Sequence, residues 1–322
     1  MKLECIGMVA LLTTIGCGSS DGSNATDSGL LPDAGSADAS DAASADATSA
    51  DASDAASADA AADDASAPDA STPYFEPYFA DDFETYSDGQ SLTDGRPFGT
   101  AGHTTASTTE AFSGSTSARM EIRAGDGGGF GRWGASVNLR PKLGKGSEVW
   151  VRLRVFWPAS FQFTASPWMK FLRIHNQNED GSNDGYNDLY IDEPDDSSRP
   201  TLRCIKEKHD VWETDDGTPL PRDTWQSYEM YLYADDVPVD EGGNARMRIW
   251  KDNVLIFDRT DVPTLATAGG NLDLFYLFTY WNNEMPPNNH CFVDDLILAT
   301  DASPPPNTDA AGNRMIGDWT IP

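Results

Sequence analysis

Apolar and polar residues alternate along most of the chain between residues 75 and 300. In the stretch 148–156, Val149, Val151 and Leu153 fall on one face, and Trp150 and Arg152 fall on the other. The same period of two recurs in residues 117–123, 168–175, 246–250, 272–283 and 290–300, between clusters of Gly, Pro, Asn and Asp. Helical periodicity is nearly absent. The pattern predicts an all-β domain, an antiparallel two-sheet β-sandwich.

The chain begins with a short apolar run, residues 6–15, which follows Lys2. Its length suits the hydrophobic region of a signal peptide and is too short to span a bilayer. The run leads into Cys17, and together they resemble a bacterial lipobox, in which that cysteine receives a diacylglyceryl group. Gly18 follows, and by resemblance to lipoprotein sorting it favours the outer membrane. The alternative interpretation of the run is a short buried helix.

Residues 18–72 are almost entirely Ala, Asp, Ser and Gly, with twelve Asp and no Lys or Arg. Like charges and a lack of aromatic residues predict a disordered spacer, although a weak Ala-rich helix is an alternative. We therefore expect a signal peptide with its lipid-bearing cysteine at 1–17, a linker at 18–72 and a folded domain at 73–300. Residues 301–322 form a tail that either moves freely or lies on the domain.

The net charge of the chain is −30, and without the linker and signal segment it is still −18. Such a charge excludes electrostatic nucleic-acid binding as the default function. Within this acidic domain, residues 119–173 hold ten Lys or Arg against three acids. The basic stretch predicts an anionic ligand, unless these residues pair with acids later in the chain.

Two cysteines, Cys204 and Cys291, lie in the folded domain. In an exported protein an even pair predicts a disulfide between them. Two buried free thiols are the alternative.

The polar face of the predicted strands carries tryptophan beside arginine. Such mixtures suit a sugar-binding groove, because aromatic rings stack on sugar rings and guanidinium groups hold carboxylates. The alternative is an interface covered by loops. The predicted substrate-binding residues are Trp150, Arg152, Arg154, Arg248 and Trp250.

Three short motifs, in order along the chain, resemble those of the concanavalin A-like jelly rolls, and within them the alginate-lyase-type polysaccharide lyases. The first is the Arg-x-Glu-x-Arg strand at 119–123. The second is Arg173-Ile174-His175, where the family has Gln-Ile-His. The third, Tyr280-Trp281-Asn282, matches the family's Tyr-x-Gln with Asn in place of Gln. The resemblance implies a jelly-roll fold and a β-elimination chemistry.

The roles of the site residues follow from this resemblance. Arg119, Arg123 and Arg173 would neutralise a uronate carboxylate, with Asn282 beside them. His175 would act as the base at C5, and Tyr280 as the acid, or as acid and base together. The alternative for His175 and Tyr280 is a hydrogen-bonded position in a groove or core.

The stretch 180–188 spaces oxygen-bearing side chains around glycine, somewhat as calcium loops do. Asp180, Ser182, Asp184 and Asp188 are the predicted ligands. A plain polar loop is the alternative, so we expect no required cofactor and at most a structural calcium ion.

Three functions remain open from the sequence. The leading hypothesis is a lipid-anchored lyase that cleaves an anionic, uronate-containing polysaccharide. The others are a non-catalytic carbohydrate-binding or adhesion lipoprotein on the same fold, and a structural surface protein. In each case we expect an exported monomer, at the outer membrane or cell surface, that meets the membrane only through its N-terminal lipid and does not bind nucleic acid.

Overall fold

A computed structural model describes residues 74–92, 103–123, 134–163, 169–192, 200–207, 211–215, 217–278 and 288–322. All of them belong to the unit that spans residues 66–322. In these ranges the chain forms strands and one 3₁₀ turn at Val239–Glu241, with no α-helix, and so no helix there is long and apolar enough to cross a membrane. The strands are β1 (Phe79–Asp81), β2 (Thr105–Ser107), β3 (Ser117–Ile122), β4 (Ala135–Gly144), β5 (Glu148–Phe156), β6 (Met169–Gln177), β7 (Asn183–Asp192), β8 (Thr201–Lys206), β9 (Val211–Asp215), β10 (Trp225–Tyr233), β11 (Arg246–Lys251), β12 (Val254–Arg259), β13 (Asn271–Leu277), β14 (Asn289–Thr300), β15 (Asn307–Thr308) and β16 (Arg314–Met315).

Two antiparallel sheets form a sandwich, as the alternation predicts. Sheet A has eight strands in the order β12-β11-β10-β5-β14-β3-β2, with β1 also beside β14. Sheet B has six, in the order β4-β13-β6-β7-β8-β9. One apolar core contains side chains from both sheets, for example Val151 and Leu153 of sheet A with Leu172 and Ile174 of sheet B. The alternate side chains of each strand therefore lie on an outer face.

The outer face of sheet A is covered by the end of the chain. Residues 301–322, here called the C-terminal strap, contain the small β15–β16 hairpin and pack on that face. Met315 and Ile316 are buried in a second apolar cluster with Trp150 and Trp250, and Phe75 joins the same cluster. The question left open by the sequence is thus answered, because the tail lies on the domain.

Four of the five residues predicted to bind substrate form hydrogen bonds with the strap instead. Trp150 donates its indole N–H to the carbonyl of Arg314 at 3.1 Å, and Trp250 donates to Asp309 at 2.9 Å. Arg152 donates to the carbonyl of Trp319 and Arg154 to the carboxylate of Asp318. Trp150, Arg152 and Trp250 are at most 1% exposed. The predicted groove is wrong here, and the alternative of a covered interface is correct.

The fifth of these residues, Arg248, lies on the same strand as Trp250. Its Nε donates to Asp258 at 3.2 Å, and its guanidinium lies over the ring of Tyr231. Since Trp250 and Tyr231 belong to the strap's cluster, Arg248 borders that covered face.

Glu229 fastens the strap to the sheet. Its two carboxylate oxygens accept the backbone N–H groups of Ile316 at 2.6 Å and Gly317 at 3.0 Å. Burial raises the pKa of Glu229 to about 7, although these donors and Arg152 oppose the increase. Between about pH 4.5 and pH 7, Glu229 therefore keeps its proton in the folded protein. In the unfolded chain Glu229 loses that proton near its ordinary pKa of 4.5.

We expect the stabilisation from this proton to be complete below about pH 4.5 and lost as the pH rises through about 7, a change on the order of 3 kcal/mol. The melting temperature should fall between mildly acidic and mildly alkaline buffer, as followed by tryptophan fluorescence. In Glu229→Gln the decrease should be smaller. It should persist in part, because burial also raises the pKa of Asp294 to about 7.

The glutamine variant should also be less stable by about 1–3 kcal/mol, because its amide N–H would face a backbone donor. Asp258→Asn, on the rim of the same sheet, is the control and should keep the wild-type pH slope. An unchanged slope in Glu229→Gln would contradict this account of the strap.

The predicted disulfide is not formed, because Cys204 and Cys291 are both free and buried. Cys204 on β8 of sheet B contacts the sulfur of Met247 on β11 at 3.5 Å. Cys291 lies on β14, and β10 and β5 separate β14 from β11 in sheet A. The two thiols thus belong to different parts of the core. The even number of cysteines suggested a disulfide, but the sequence did not show where the strands place the two thiols in the core.

Burial raises the pKa of Cys204 to about 12 and that of Cys291 above its ordinary value, so neither thiol forms a thiolate readily. We expect both to resist alkylation in the folded protein and to react fully after denaturation without a reductant. Peptide mass spectrometry should find an alkyl group on each. A disulfide-linked peptide would contradict the structure.

Candidate active site

Strand β6 lies near the centre of sheet B and presents two polar side chains on the outer face. Leu172 and Ile174 face the core, so Arg173 and His175 face outward. In the register, Arg173 is opposite Asp188 on β7 and Tyr276 on β13. His175 is opposite Tyr186 on β7. Cross-strand pairing thus gathers charged and aromatic residues from three strands.

Arg173 lies beneath the other side chains of this group. Its Nε is 2.6 Å from Asp188 Oδ1, and its Nη2 is 3.0 Å from Glu207 Oε2. Burial acts to lower the pKa of Arg173, but the contact with Asp188 outweighs it and the pKa is raised. The side chain is 1% exposed, with both carboxylates already against it. Arg173 is therefore a fixed structural cation and is poorly placed to hold a substrate carboxylate directly.

Tyrosine rings lie above and beside this cation. The Arg173 guanidinium is 3.6 Å from the centre of the Tyr186 ring, and the Tyr186 and Tyr276 ring centres are 6.0 Å apart. Burial raises the pKa of Tyr186 to about 12 against the opposing effect of Arg173, and burial also raises that of Tyr276. Both rings are half-buried. Their hydroxyl groups therefore keep their protons at neutral pH and can serve as proton donors.

His175 is held between two oxygen atoms. Its Nδ1 is 2.6 Å from Asp273 Oδ1 on β13, and its Nε2 is 3.0 Å from Asn183 Oδ1 at the start of β7. The imidazole centre is 5.0 Å from the Tyr186 ring centre. His175, Tyr186 and Tyr276 thus form one partly exposed cluster, here called the His–Tyr cluster.

Asp273 reaches His175 because of an irregularity in β13. The register of β13 against both β4 and β6 shifts between Leu272 and Leu274. Leu272 and Phe275 are both fully buried, so two residues, not one, lie between consecutive core side chains. This bulge turns Asp273 toward His175. Sequence reasoning missed Asp273, although the break in alternation at Leu274-Phe275 was a readable signal.

The two arginines of the first predicted motif do not lie on sheet B. Arg119 lies on β3 of sheet A, and Arg123 follows that strand directly, where Ala118, Met120 and Ile122 occupy the core. Both arginines pair with Glu121 and are partly exposed. They therefore lie on the other side of the sandwich from the His–Tyr cluster, and the structure does not bring the first motif together with the second. Tyr280 and Asn282 lie outside the described residues.

The predicted calcium ligands do not converge. Asp180 accepts hydrogen bonds from the backbone and hydroxyl groups of Ser182, so these two satisfy one another in a turn. Asp184 and Asp188 belong to β7, and Asp188 is fully buried against Arg173. Within the described ranges no three His, Cys, Asp or Glu side chains form a metal-binding group. The spacing of these residues in the sequence resembled a calcium-binding loop, but the second half of the segment 180–188 belongs to strand β7.

The outer face of sheet B also carries an accessible cation. Lys142 on β4 contacts Gln177 and places its ammonium 3.8 Å from Asp273 Oδ2, with 37% of its side chain exposed. Asp273 is thus shared between Lys142 and His175. The Lys142 ammonium is thus an accessible positive charge on this face, whereas the charge of Arg173 is buried.

Two solved structures are similar to this chain. Alginate lyase Aly36B, solved in a mutant form with an alginate trisaccharide, matches with a TM-score of 0.51 and 11% identity over 70% of this chain and 99% of its own. An endo-β-1,4-glucuronan lyase from the fungus Trichoderma reesei matches with a TM-score of 0.45 and 10% identity over 70% of this chain and 95% of its own. No curated protein sequence matches.

The sequence profile described as "Polysaccharide lyase" matches residues 81–277. This range contains β2 through β13, and with them Arg173, His175, Tyr186, Asp273 and Tyr276. It also covers more than half of the chain. The protein therefore belongs to the polysaccharide lyase family.

Proposed function

We propose that the protein cleaves a uronate-containing polysaccharide by β-elimination on the outer face of sheet B. The observation that carries this proposal is the His–Tyr cluster above the buried Arg173, in a chain of the polysaccharide lyase family. The other broad face of the sandwich is occupied by the strap. Among the described residues, the outer face of sheet B is thus the broad polar face that the strap leaves uncovered.

The reaction has three requirements that this face can meet. A base removes the hydrogen at C5 as a proton, and the released electron pair forms a double bond between C4 and C5. The C4–O bond breaks, its electron pair stays on the leaving oxygen, and an acid protonates that oxygen. The negative charge that develops on the C6 carboxylate needs donors beside it.

Tyr186 is the acid in this proposal. Its pKa, raised to about 12 mainly by burial, keeps the hydroxyl proton available for transfer to the leaving oxygen. Tyr276 and His175 flank it and can contact the same sugar ring. His175, the base that the sequence motif predicts, is the group that takes the C5 proton in this proposal, and Lys142 supplies a donor for the carboxylate. Tyr280 is the acid that the sequence motif predicts, and its variant belongs in the same series.

The uronate is the substrate class that these groups favour. Proton removal at C5 is feasible only where the neighbouring carbon carries a carboxylate or ester that can accept charge. Alginate, the ligand named for the Aly36B complex, is a polymer of uronates, and that enzyme shares the fold of this chain. The accessible cation Lys142 beside His175 fits the same charge.

A non-catalytic glycan-binding protein is the second candidate. The observation in its favour is that Asp188 and Glu207 already neutralise Arg173, which leaves few accessible cations for catalysis. Binding without product formation on every uronate polymer would select this alternative.

We expect the full chain to release an unsaturated product from at least one of alginate, glucuronan and pectate, measured by ultraviolet absorbance. Tyr186→Phe should lower kcat by about 10²- to 10⁴-fold with little change in KM, because it removes the proton donor and keeps the ring. His175→Ala should also abolish most activity. Tyr74→Phe, at a hydroxyl that is far more exposed, is the matched control and should act as wild type. A fully active Tyr186→Phe would exclude Tyr186 as the acid.

The anchor is a separate part of the proposal. We infer that a lipid on Cys17 holds the protein at a membrane, in the outer membrane or at the cell surface, and that residues 18–72 act as the spacer. A glycerolipid with attached acyl chains supplies more than one hydrophobic anchor.

Wild-type protein expressed in a double-membrane bacterium should fractionate with membranes, and Cys17→Ser should appear in the soluble fraction. Cys5→Ser is the control, since Cys5 precedes the cleavage position. A Cys17→Ser chain that remained with the membranes would refute the lipid anchor.

A further inference from the structure

The accessible positive charge of sheet B lies on its edge strand, β4. Among the strands of this sheet that the structure describes, Arg140 and Lys142 are the cations whose side chains are exposed. Lys142 pairs with Asp273, whereas no carboxylate in the described part of the chain pairs with Arg140. Arg140 therefore carries an uncompensated positive charge in a strongly acidic chain.

A bulge in β4 directs Arg140 outward. In the pairing with β13, residues 139–142 of β4 lie opposite Asp273 alone. Leu139 and Leu143, at the two ends of this segment, are both in the core. Because side chains alternate along a strand and a bulge adds residues on one side, Arg140 projects from the outer face of the sheet.

Tyr78 holds the backbone of this bulge. Its hydroxyl donates to the carbonyl of Asn138 at 2.9 Å and accepts the backbone N–H of Arg140 at 2.7 Å. These two bonds fix the main chain on both sides of Leu139, while the Arg140 side chain is exposed. A ligand that binds the guanidinium therefore has no backbone to order first.

One cross-strand row joins the His–Tyr cluster to this edge. Tyr186 is opposite His175, His175 is opposite Leu274, and Leu274 is opposite Asn138. The strands β6 and β4 are two positions apart in the sheet, about 10 Å, which is more than one sugar ring spans. A polymer that follows this row thus places one sugar at His175 and the next sugar at β4, beside Arg140.

The row is acidic in its other direction. The backbone N–H of Glu207 donates to the carbonyl of Tyr186 at 3.0 Å, and 33% of the Glu207 side chain is exposed. Arg173 and Lys170 neutralise part of this carboxylate's charge from buried positions. The accessible charge therefore changes from negative beside Tyr186 to positive at β4, and an anionic polymer gains more by extending toward β4.

We propose that Arg140 binds the carboxylate of the uronate next to the one that is cleaved, so that the protein selects polymers in which uronates follow one another. This inference rests on the proposed lyase function and adds a substrate contact to it. Lys142 serves the cleaved uronate, and Arg140 serves its neighbour. A guanidinium suits this role because it donates two parallel hydrogen bonds to one carboxylate. A polymer in which neutral sugars separate the uronates would leave Arg140 without a ligand.

The first test is the kinetics of Arg140→Gln on alginate, glucuronan and pectate. A hydrogen bond between charged groups corresponds to about a tenfold change in affinity, so KM should rise by about that factor. The value of kcat should stay unchanged, because Arg140 does not contact the reacting sugar. Arg140→Lys, which keeps the charge, should recover part of the loss.

Arg246→Gln is the matched control, since it removes a partly exposed arginine from sheet A. It should keep the wild-type KM. Arg140→Gln should melt as wild type does, because its side chain has no partner in the described part of the chain to lose. A wild-type KM in Arg140→Gln would overturn the proposal.

The second test changes the substrate. Partial methyl esterification of the polymer that is cleaved removes the charge of some neighbouring uronates and keeps the sugar chain. The kcat/KM of wild type should fall on the esterified polymer, and that of Arg140→Gln should fall less, because the contact is already lost. An equal decrease in the two proteins would show that Arg140 does not bind the neighbouring carboxylate.

Binding measurements separate failure of this proposal from failure of the lyase function. If none of the three polymers is cleaved, the lyase function is wrong, and affinity electrophoresis of the full chain in gels that contain each polymer decides about Arg140. Wild type should be retarded more than Arg140→Gln, and equal mobility of the two would refute the contact. If cleavage occurs and Arg140→Gln keeps the wild-type KM, the contact is wrong while the lyase function stands.

Discussion

A sandwich of two sheets has only two broad outer faces, and burial of the core commits every second side chain to one of them. In this protein the C-terminal strap covers the central strands of sheet A, where Trp150, Trp250 and Arg152 would otherwise be exposed. Because Glu229 receives two backbone N–H groups from the strap, the cover is hydrogen-bonded as well as apolar. The outer face of sheet B, which carries the His–Tyr cluster, is therefore the broad face left for a polymer. The position of the candidate site depends on this asymmetry.

On that face the buried ion pair of Arg173 with Asp188 lies beneath the His–Tyr cluster. Breaking such a pair leaves an uncompensated buried charge, which costs about 3–5 kcal/mol. The pair therefore keeps Arg173 in one orientation, with its guanidinium against the Tyr186 ring. Arg173, which contacts two carboxylates and is 1% exposed, contributes its charge from the interior, whereas the Lys142 ammonium is accessible at the surface.

The sequence predicted the strands and the faces of their side chains, and it did not predict which strands are neighbours. Alternation located β5 at residues 148–156, as the structure has it, and put His175 outward. The same alternation put Arg119 outward correctly, but on the other sheet, because strand order depends on contacts between distant residues. Asp273 was missed for a related reason, since a bulge reverses the alternation that the prediction relies on. Trp150 and Trp250 were assigned to sugar binding because a sequence does not show which aromatic face the chain covers with its own end.

The strap and the proposed anchor have a common consequence for access to the site. Phe75, at the start of the described domain, packs against Trp319 with ring centres 4.8 Å apart, and both belong to the cluster on sheet A. The described domain thus begins on the covered side, and its last residues lie there too. Both ends of the described domain therefore lie on the side of the sandwich away from the outer face of sheet B. If the protein is anchored through Cys17 as proposed, tension on the chain would reach the described domain at Phe75, on the side that the strap covers. Glu229 and the apolar cluster lie on that side. The cross-strand contacts of His175, Tyr186 and Asp273 lie on the other sheet and would stay undisturbed.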